Sequence, residues 1–152
     1  GVWRFKKHGI WGDELTLNNI EHDVLRKNYD EPRIHAALVC AAVSCPYLRQ
    51  EPFVGERLDE QLDDQVRIFL GQPEVLEIDR EKGEVRLSSI FDWFTEDWAA
   101  SFSPDEGFSG SDDERAVLNF ITAYVSESDG EYLKTGEYRV RYSDYDWSLN
   151  RQ

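Results

Sequence analysis

The side chains best suited to chemistry are crowded into one short part of this 152-residue chain. Both cysteines, Cys40 and Cys45, and one of the three histidines, His35, lie within eleven residues. A second histidine, His22, directly follows the acid Glu21. Thiols, imidazoles and carboxylates carry out nucleophilic, acid–base and metal chemistry near neutral pH. The sequence therefore points to residues 21–45 as the place to look for a functional site.

One interpretation is a thiol-dependent hydrolase or acyl transferase. Such an enzyme needs a thiolate, an imidazole within hydrogen-bond reach and a third group that orients the imidazole. The candidates for these three roles are, in order, Cys40 or Cys45, His35 or His22, and Glu21 or Asp23. On a continuous helix His35 and Cys40 would lie about 140° apart. They could meet only if the helix breaks between them, so His22 is an equally good base.

A second interpretation is a disulfide between Cys40 and Cys45. Two cysteines with none left over form an even count, and closing so short a loop would contribute about 2 kcal/mol. The bridge would be a structural staple or, if strained, a redox couple. The Cys-x4-Cys spacing differs from the Cys-x2-Cys spacing of thioredoxin-like redox sites, and this weakens the redox version.

Two further alternatives concern the same residues. Zinc accepts thiolate, imidazole and carboxylate ligands, but His22, His35 and the two cysteines match no known zinc spacing, so we predict no metal and no cofactor. In the other alternative the cysteines pack as small hydrophobic residues and His35 is a hydrogen-bonded core histidine. Arg33, beside the cluster, would then need a carboxylate, for which Glu21 is the expected partner.

A non-enzymatic hypothesis rests on the aromatic residues. Each indole N–H needs a hydrogen-bond partner when buried, so Trp93, Trp98 and Trp147 are not easily all core residues. Together with Arg33 they are the predicted binding residues. They would form an aromatic surface with acidic edges, suited to a peptide, a sugar or a basic partner. The protein would then be an interaction module stapled by the Cys40–Cys45 disulfide.

The charge of the chain argues against nucleic-acid binding, and its hydropathy argues against a membrane-spanning segment. Thirty-one acidic residues against seventeen Lys and Arg give a net charge of −14. A field of this sign repels phosphate backbones, so nucleic-acid binding is not expected, whereas a basic protein or peptide partner is compatible. No apolar run is long enough to span a membrane. The first residues contain no signal-peptide core, and localisation cannot be inferred from them.

The elements that position the N-terminal candidates can be read from spacing. Alternation around Gly9 and Gly12 predicts a hairpin over Trp3–Leu15, and apolar spacing predicts a helix over residues 17–27. After Pro32 a short helix is expected to bury Ile34, Ala37 and Leu38. Because Pro46 disfavours helical backbone in the residue before it, Cys45 should lie in a turn or extended segment.

The rest of the chain predicts an α+β fold, a mainly helical single domain over residues 1–152 with two short β-hairpins. Strands are expected at 75–79 and 84–88, joined as the second hairpin, and at 138–142. Residues 101–113 are rich in Ser, Gly, Pro and acid and predict a surface loop. Helices are expected at 56–71, 88–98 and 114–125.

Four segments resemble one known family, domain of unknown function 547. Residues 16–26 (TLNNIEHDVLR) resemble its "SLDDIEHxxLR" signature, and residues 32–46 (PRIHAALVCAAVSCP) resemble its "PRIHFALxCxxxxCP" core. Residues 87–98 are similar to "LSxIFxWYxxDF", and residues 145–150 to "YDWSLN".

The resemblance implies no established activity, but it favours an exported or periplasmic protein. Family members usually begin with a helix that carries a "WINxYN" element, which this sequence lacks. We therefore expect the chain to lack an N-terminal helix of the full family domain.

Overall fold

A computed structural model describes residues 2–10, 12–102 and 107–151. The chain divides into two compact units, Gly1–Glu31 and Pro32–Gln152. Each unit is taken by itself below. The prediction of a single domain over residues 1–152 stays a prediction.

The first unit contains a hairpin followed by a helical segment. Strand β1 (Lys7–Ile10) pairs antiparallel with β2 (Asp13–Thr16), and His8 lies opposite Leu15. The predicted hairpin is therefore confirmed over these strands, while Trp11 lies outside the described residues. The residues before β1 form a one-turn helix, α1 (Val2–Phe5), instead of extending the strand as predicted.

The predicted helix over residues 17–27 is present, but it is wound unusually. Asn19–Leu25 form a π-helical turn that continues into α2 (Arg26–Asn28). Asn18, at the N-cap position, makes no side-chain cap. Instead the Asn19 amide N–H donates to the Thr16 hydroxyl at 3.1 Å, and that hydroxyl donates to the Asn19 side chain at 2.7 Å. Thr16 therefore fixes where the helical segment begins.

The second unit opens with the Cys/His segment, whose helix is a single turn. Helix α3 (Ile34–Ala37) ends because Leu38 has extended backbone, with φ −82° and ψ 125°. It buries His35 and Ala36, whereas we expected Ile34, Ala37 and Leu38 to form the buried face. The prediction of that face is wrong, because the single turn packs on α4 (Leu58–Leu70) and also directs the His35 ring against Phe94 and Trp98.

Helix α4 is the longest helix of the described residues and closely matches its predicted span. A 3₁₀ turn at Gly55–Arg57 precedes it, and Gly71 is its C-cap. Its apolar stripe places Leu62, Val66 and Phe69 in the core at the helical spacing that predicted it.

A three-stranded sheet forms the β layer of this unit. The predicted hairpin is confirmed: β3 (Leu76–Asp79) pairs antiparallel with β4 (Glu84–Ser88). The late strand, β5 (Arg139–Ser143), adds to β4 in parallel, with Val85 opposite Val140. This pairing gives the order β3-β4-β5 and was not expected from the sequence.

The remaining helices follow β4. The predicted stretch over residues 88–98 is divided at Phe94 into α5 (Ser89–Trp93) and α6 (Thr95–Ala99). Helix α7 (Asp112–Thr122) begins with a capping box made by Ser111 and Glu114.

Helix α7 shortens the predicted loop over 101–113, of which residues 103–106 lie outside the described residues. Helix α8 (Glu127–Thr135) was not predicted, and it ends at Gly136, which has a left-handed φ of 67°.

One hydrophobic core connects these elements. Its fully buried side chains come from α4, β4, α5, α6, α7 and α8, and the largest are Trp98, Phe69, Phe91, Leu87, Leu118, Ile121 and Leu133. The α+β class is thereby confirmed. Within the described ranges, none of the helices has the length and apolar character needed to cross a membrane.

Candidate functional site

The two cysteines face each other across a tight loop and are both free thiols. The Cys40 main-chain N–H donates to the Cys45 sulfur at 2.7 Å. Cys40 is exposed, whereas Cys45 is only 3% exposed. The predicted structural disulfide is therefore not formed in this structure, and the loop must be held closed by other contacts.

The backbone of the loop is folded by two local features. Ala41 has a φ of 63°, the left-handed conformation that costs an L-residue with a side chain about 1–2 kcal/mol. The Cys45 N–H donates to the Ala42 carbonyl at 3.2 Å. Cys45 thus lies in turn backbone, as predicted. The chain reverses between the cysteines, and this reversal places their side chains together.

The C-terminal segment 145–150 holds this loop through main-chain hydrogen bonds. The Val43 N–H donates to the Ser148 carbonyl at 2.9 Å, and the Asn150 N–H donates to the Ala41 carbonyl at 2.9 Å. The Ser44 hydroxyl accepts from the Asp146 N–H at 2.9 Å. Two segments that match separate motifs of the sequence, 32–46 and 145–150, therefore build one structure.

The same segment brings a phenol to the exposed thiol. The Tyr145 hydroxyl lies 3.5 Å from the Cys40 sulfur. Burial raises the pKa of Tyr145, so the phenol keeps its proton and acts as a donor. Hydrogen bonds from the Cys45 thiol and then from Tyr145 lower the pKa of Cys40 to about 5, against the opposing effect of burial.

The pKa of Cys45 moves in the opposite direction. Its thiol donates to Cys40, and both this hydrogen bond and burial raise the pKa of Cys45. One sulfur of the pair is therefore a thiolate at neutral pH, while the other holds the shared proton. This asymmetry is typical of an activated cysteine.

His35 lies in the core and is held by an acid that the sequence did not single out. Its Nε2 is 2.7 Å from an Asp97 carboxylate oxygen, and the imidazole side chain is 3% exposed. The ring stacks on Phe94 at 4.3 Å between centroids and contacts Trp98 at 5.1 Å. This matches the alternative of a hydrogen-bonded core histidine; the catalytic role of His35 stays a prediction.

Arg33 forms ion pairs with α4. Its guanidinium donates to Asp59 and Asp63, each at 2.8 Å. Burial opposes ionisation of Asp63, but hydrogen bonds from Arg33 and from the Tyr124 hydroxyl outweigh it, so the pKa of Asp63 is lowered. These contacts anchor α3 on α4 and so fix the start of the Cys/His segment.

Two of the predicted binding tryptophans form an exposed aromatic cluster with Tyr145. The rings of Trp93 and Trp147 stack at 5.5 Å with an interplanar angle of 15°. Tyr145 contacts both, at 4.8 Å from Trp93 and 4.5 Å from Trp147. Trp93 is 44% exposed and Trp147 is 68% exposed. Trp98, predicted to share this surface, is instead a core residue at 1% exposure.

Glu21 and His22 belong to the π-helical turn of the first unit. The His22 Nδ1 lies 3.2 Å from the Arg26 guanidinium, and Asp23 pairs with Lys27 at 2.6 Å. The roles predicted for Glu21 and His22, as orienting acid and base, stay predictions. Among the residues that the structure describes, no three His, Cys, Asp or Glu side chains converge as metal ligands.

Sequence reasoning missed Tyr145, Ser44 and Asp97 as parts of this site. Asp97 is 62 residues from His35, and Tyr145 is 105 residues from Cys40. No local spacing connects residues so far apart. The available signal was their position inside the motif segments 87–98 and 145–150.

Comparison with known proteins finds one family-model match, over the first part of the chain. Residues 2–70 match the model of a family described as "Protein of unknown function, DUF547". The resemblance predicted from the sequence is confirmed over these residues. No curated protein and no solved structure matches the chain.

Proposed function

We propose that this protein is a thiol-dependent hydrolase or acyl transferase with Cys40 as its nucleophile. The observation that carries the proposal is the exposed Cys40 sulfur that accepts hydrogen bonds from Cys45 and Tyr145. A thiolate, not a thiol, is the attacking species. Because the two donors already favour the thiolate, Cys40 needs no histidine to remove its proton before attack.

The reaction begins with attack of the Cys40 thiolate on an activated carbonyl carbon. A C–S bond forms and the carbonyl electrons move to oxygen. When they return, the leaving group departs with its electron pair, which leaves an acyl group on Cys40. Water, or an amine or alcohol acceptor, then attacks the thioester and regenerates the thiolate. The Tyr145 phenol is a hydrogen-bond donor at the reacting sulfur and keeps its own proton.

The test is acylation by p-nitrophenyl acetate at neutral pH. We expect a burst of p-nitrophenolate equal to the protein concentration and one acetyl group on Cys40 in the intact mass. The matched control, Cys45→Ser, keeps a hydrogen-bond donor beside Cys40 and should retain the burst. Cys40→Ser should lose it. An undiminished burst in Cys40→Ser, or no acetyl group on wild-type protein, would contradict the proposal.

A second candidate function is binding of a cationic peptide at the aromatic cluster of Trp93, Tyr145 and Trp147. The supporting observation is the exposed face of the stacked tryptophans. Each ring is next in sequence to an acid, at Asp92, Asp144 and Asp146. Aromatic faces and carboxylates attract Lys and Arg side chains.

This second function would not depend on the thiols. Titration with a lysine-rich peptide should change the tryptophan fluorescence of Cys40→Ser as much as that of the wild-type protein. Trp147→Ala should lose the response and keep the acetylation burst. A peptide response that survives in Trp147→Ala would contradict binding at this cluster.

A further inference from the structure

The arrangement of the two sulfurs does more than activate a single nucleophile. The loop holds a second thiol against the first, although acyl transfer needs only one. The Cys45 sulfur accepts a hydrogen bond from the Cys40 main-chain N–H at 2.7 Å, so the second sulfur lies directly against the residue that carries the first. The two thiols are therefore close together while both remain free.

The two thiols differ in access as well as in charge. Cys40 is exposed, so a substrate can reach its sulfur. Cys45 is buried at 3% exposure and lies against the Leu38 carbonyl at 3.9 Å. An external molecule can therefore react with Cys40, but the partner within reach of Cys45 is Cys40 itself. In a pair of thiols that reduces disulfides, the attacking thiol is accessible to the substrate and the resolving thiol is not. Cys40 and Cys45 differ in this way.

The loop between the cysteines is also held under local strain. Ala41 has its left-handed φ of 63° within this four-residue connection. Hydrogen bonds from segment 145–150 keep the connection closed in the dithiol state. The connection therefore keeps the two free thiols on one short loop, without a covalent bond between them.

We propose that Cys40 and Cys45 form a dithiol couple that reduces a disulfide in a second molecule. The Cys40 thiolate attacks one sulfur of the substrate disulfide, an S–S bond forms between them, and the other substrate sulfur leaves as a thiolate. Cys45 then loses its proton to solvent or to that thiolate and attacks the Cys40 sulfur. The second substrate thiolate leaves, and Cys40 and Cys45 are joined.

The electrons balance within these two steps. The protein loses two electrons and the one proton of Cys45 as a thiolate and a thiol become one disulfide. The substrate gains the two electrons as its disulfide becomes two thiolates, which take up the Cys45 proton and any further proton from solvent. This inference rests on the proposed nucleophilic role of Cys40, but it assigns Cys45 a reacting role and names disulfides as the substrate class.

The test uses oxidised glutathione as the probe and intact mass as the readout. We expect wild-type protein to lose two hydrogen atoms, release two glutathione molecules and retain no adduct. Cys45→Ser should stop at one glutathione attached to Cys40, because the resolving thiol is missing. Cys45→Ala provides the same test if the serine hydroxyl disturbs folding, and the melting temperature of each variant checks that it is folded.

Two outcomes would overturn the dithiol couple, and comparing them separates its failure alone from failure of the proposed function as well. A lasting glutathione adduct on wild-type Cys40, together with a normal acetylation burst, would remove the couple but keep the nucleophile. If neither glutathione nor p-nitrophenyl acetate modifies wild-type Cys40, both proposals fail.

Discussion

At the scale of single residues, protonation at the cysteine pair is controlled by neighbours rather than by a histidine. Cys45 and Tyr145 both donate to Cys40, and both keep their own protons because their pKa values are raised. The negative charge therefore stays on the exposed sulfur. Reactivity and its dependence on pH should follow these two donors.

We expect alkylation of Cys40 by iodoacetamide to be half-maximal near pH 5, the value to which its pKa is lowered. The rate follows the thiolate fraction, so it should be constant above about pH 6–7 and fall tenfold per unit below the pKa. Cys45→Ala removes the stronger donor and should shift the midpoint upward, and Tyr145→Phe should shift it less. Timed intact mass across the pH range measures both shifts.

A wild-type midpoint near 9.0, the unperturbed value for a cysteine, would contradict this account. An alkylation midpoint that is the same in Cys45→Ala as in the wild-type protein would also contradict it. Trp147→Ala is the matched control, because it alters the aromatic cluster without removing a donor to Cys40.

The left-handed residue of the loop gives a second prediction at this scale. Ala41→Val places a β-branched side chain at a φ of 63° and should lower the free energy of unfolding by about 1–2 kcal/mol. Ala41→Gly should change it by less than about 1 kcal/mol, because relief of strain is offset by a more flexible unfolded chain.

Urea denaturation measures the two changes at residue 41. Ala100→Val is the control, since Ala100 is exposed and has an ordinary helical φ of −64°. Its cost should stay near about 0.5 kcal/mol. Equal losses at positions 41 and 100 would show that the conformation of Ala41 stores no strain.

At the scale of elements, local patterns could be predicted and long-range pairings could not. Helix α4 follows from its apolar spacing, and β3–β4 follows from a short turn between two alternating segments. Helix α8 lacks a strong apolar stripe and contains Gly130, so nothing local distinguishes it. The parallel pairing of β5 with β4 depends on a contact across about fifty residues, for which the sequence carries no spacing signal.

The same distinction applies to the site. Residue type and proximity in sequence were enough to single out Cys40, Cys45 and His35. Their partners are tertiary: Tyr145 reaches Cys40 because segment 145–150 pairs with the loop, and Asp97 reaches His35 across the core. The free state of the thiols depends on that packing and could not be read from an even cysteine count.

The end of α8 provides a prediction at the element scale. Gly136 has a φ of 67°, and a Cβ added there would lie 2.3 Å from the Gly107 carbonyl oxygen. Gly136→Ala should therefore lower the free energy of unfolding by about 2 kcal/mol or more, since the left-handed cost adds to the clash. Thermal unfolding followed by circular dichroism measures it.

The control for this change is Gly55→Ala. Nothing lies within 4 Å of a Cβ added at Gly55, and its φ is not in the left-handed range. We expect a change of less than about 0.5 kcal/mol, as for most surface substitutions. Similar costs at the two positions would mean that the backbone around Gly136 rearranges without strain.

At the scale of the whole molecule, the dominant property is the net charge of −14. Exposed ion pairs such as Lys27–Asp23 and Arg57–Glu60 contribute about 0–1 kcal/mol each. The excess of carboxylates repels itself in the folded state. The screening length falls from about 30 Å at 0.01 M salt to about 3 Å at 1 M.

We therefore expect the melting temperature to rise by several degrees as NaCl increases over this range. The reason is that salt weakens the net repulsion more than it weakens the exposed pairs. Differential scanning calorimetry measures the change, and KCl at equal ionic strength should give the same curve. A falling melting temperature would show that the ion pairs outweigh the repulsion.

The pairing of segment 145–150 with the loop between Cys40 and Cys45 also determines when that loop can fold during synthesis. Tyr145 follows Cys40 by 105 residues, and at the usual rate of translation this separation corresponds to about 5–20 s. Once both cysteines have left the ribosome's active centre, segment 145–150, which holds their loop, has still to be synthesised. The thiol pair thus matures only after residue 145 has been added, and every new chain first passes through a stage in which both thiols have an unperturbed pKa.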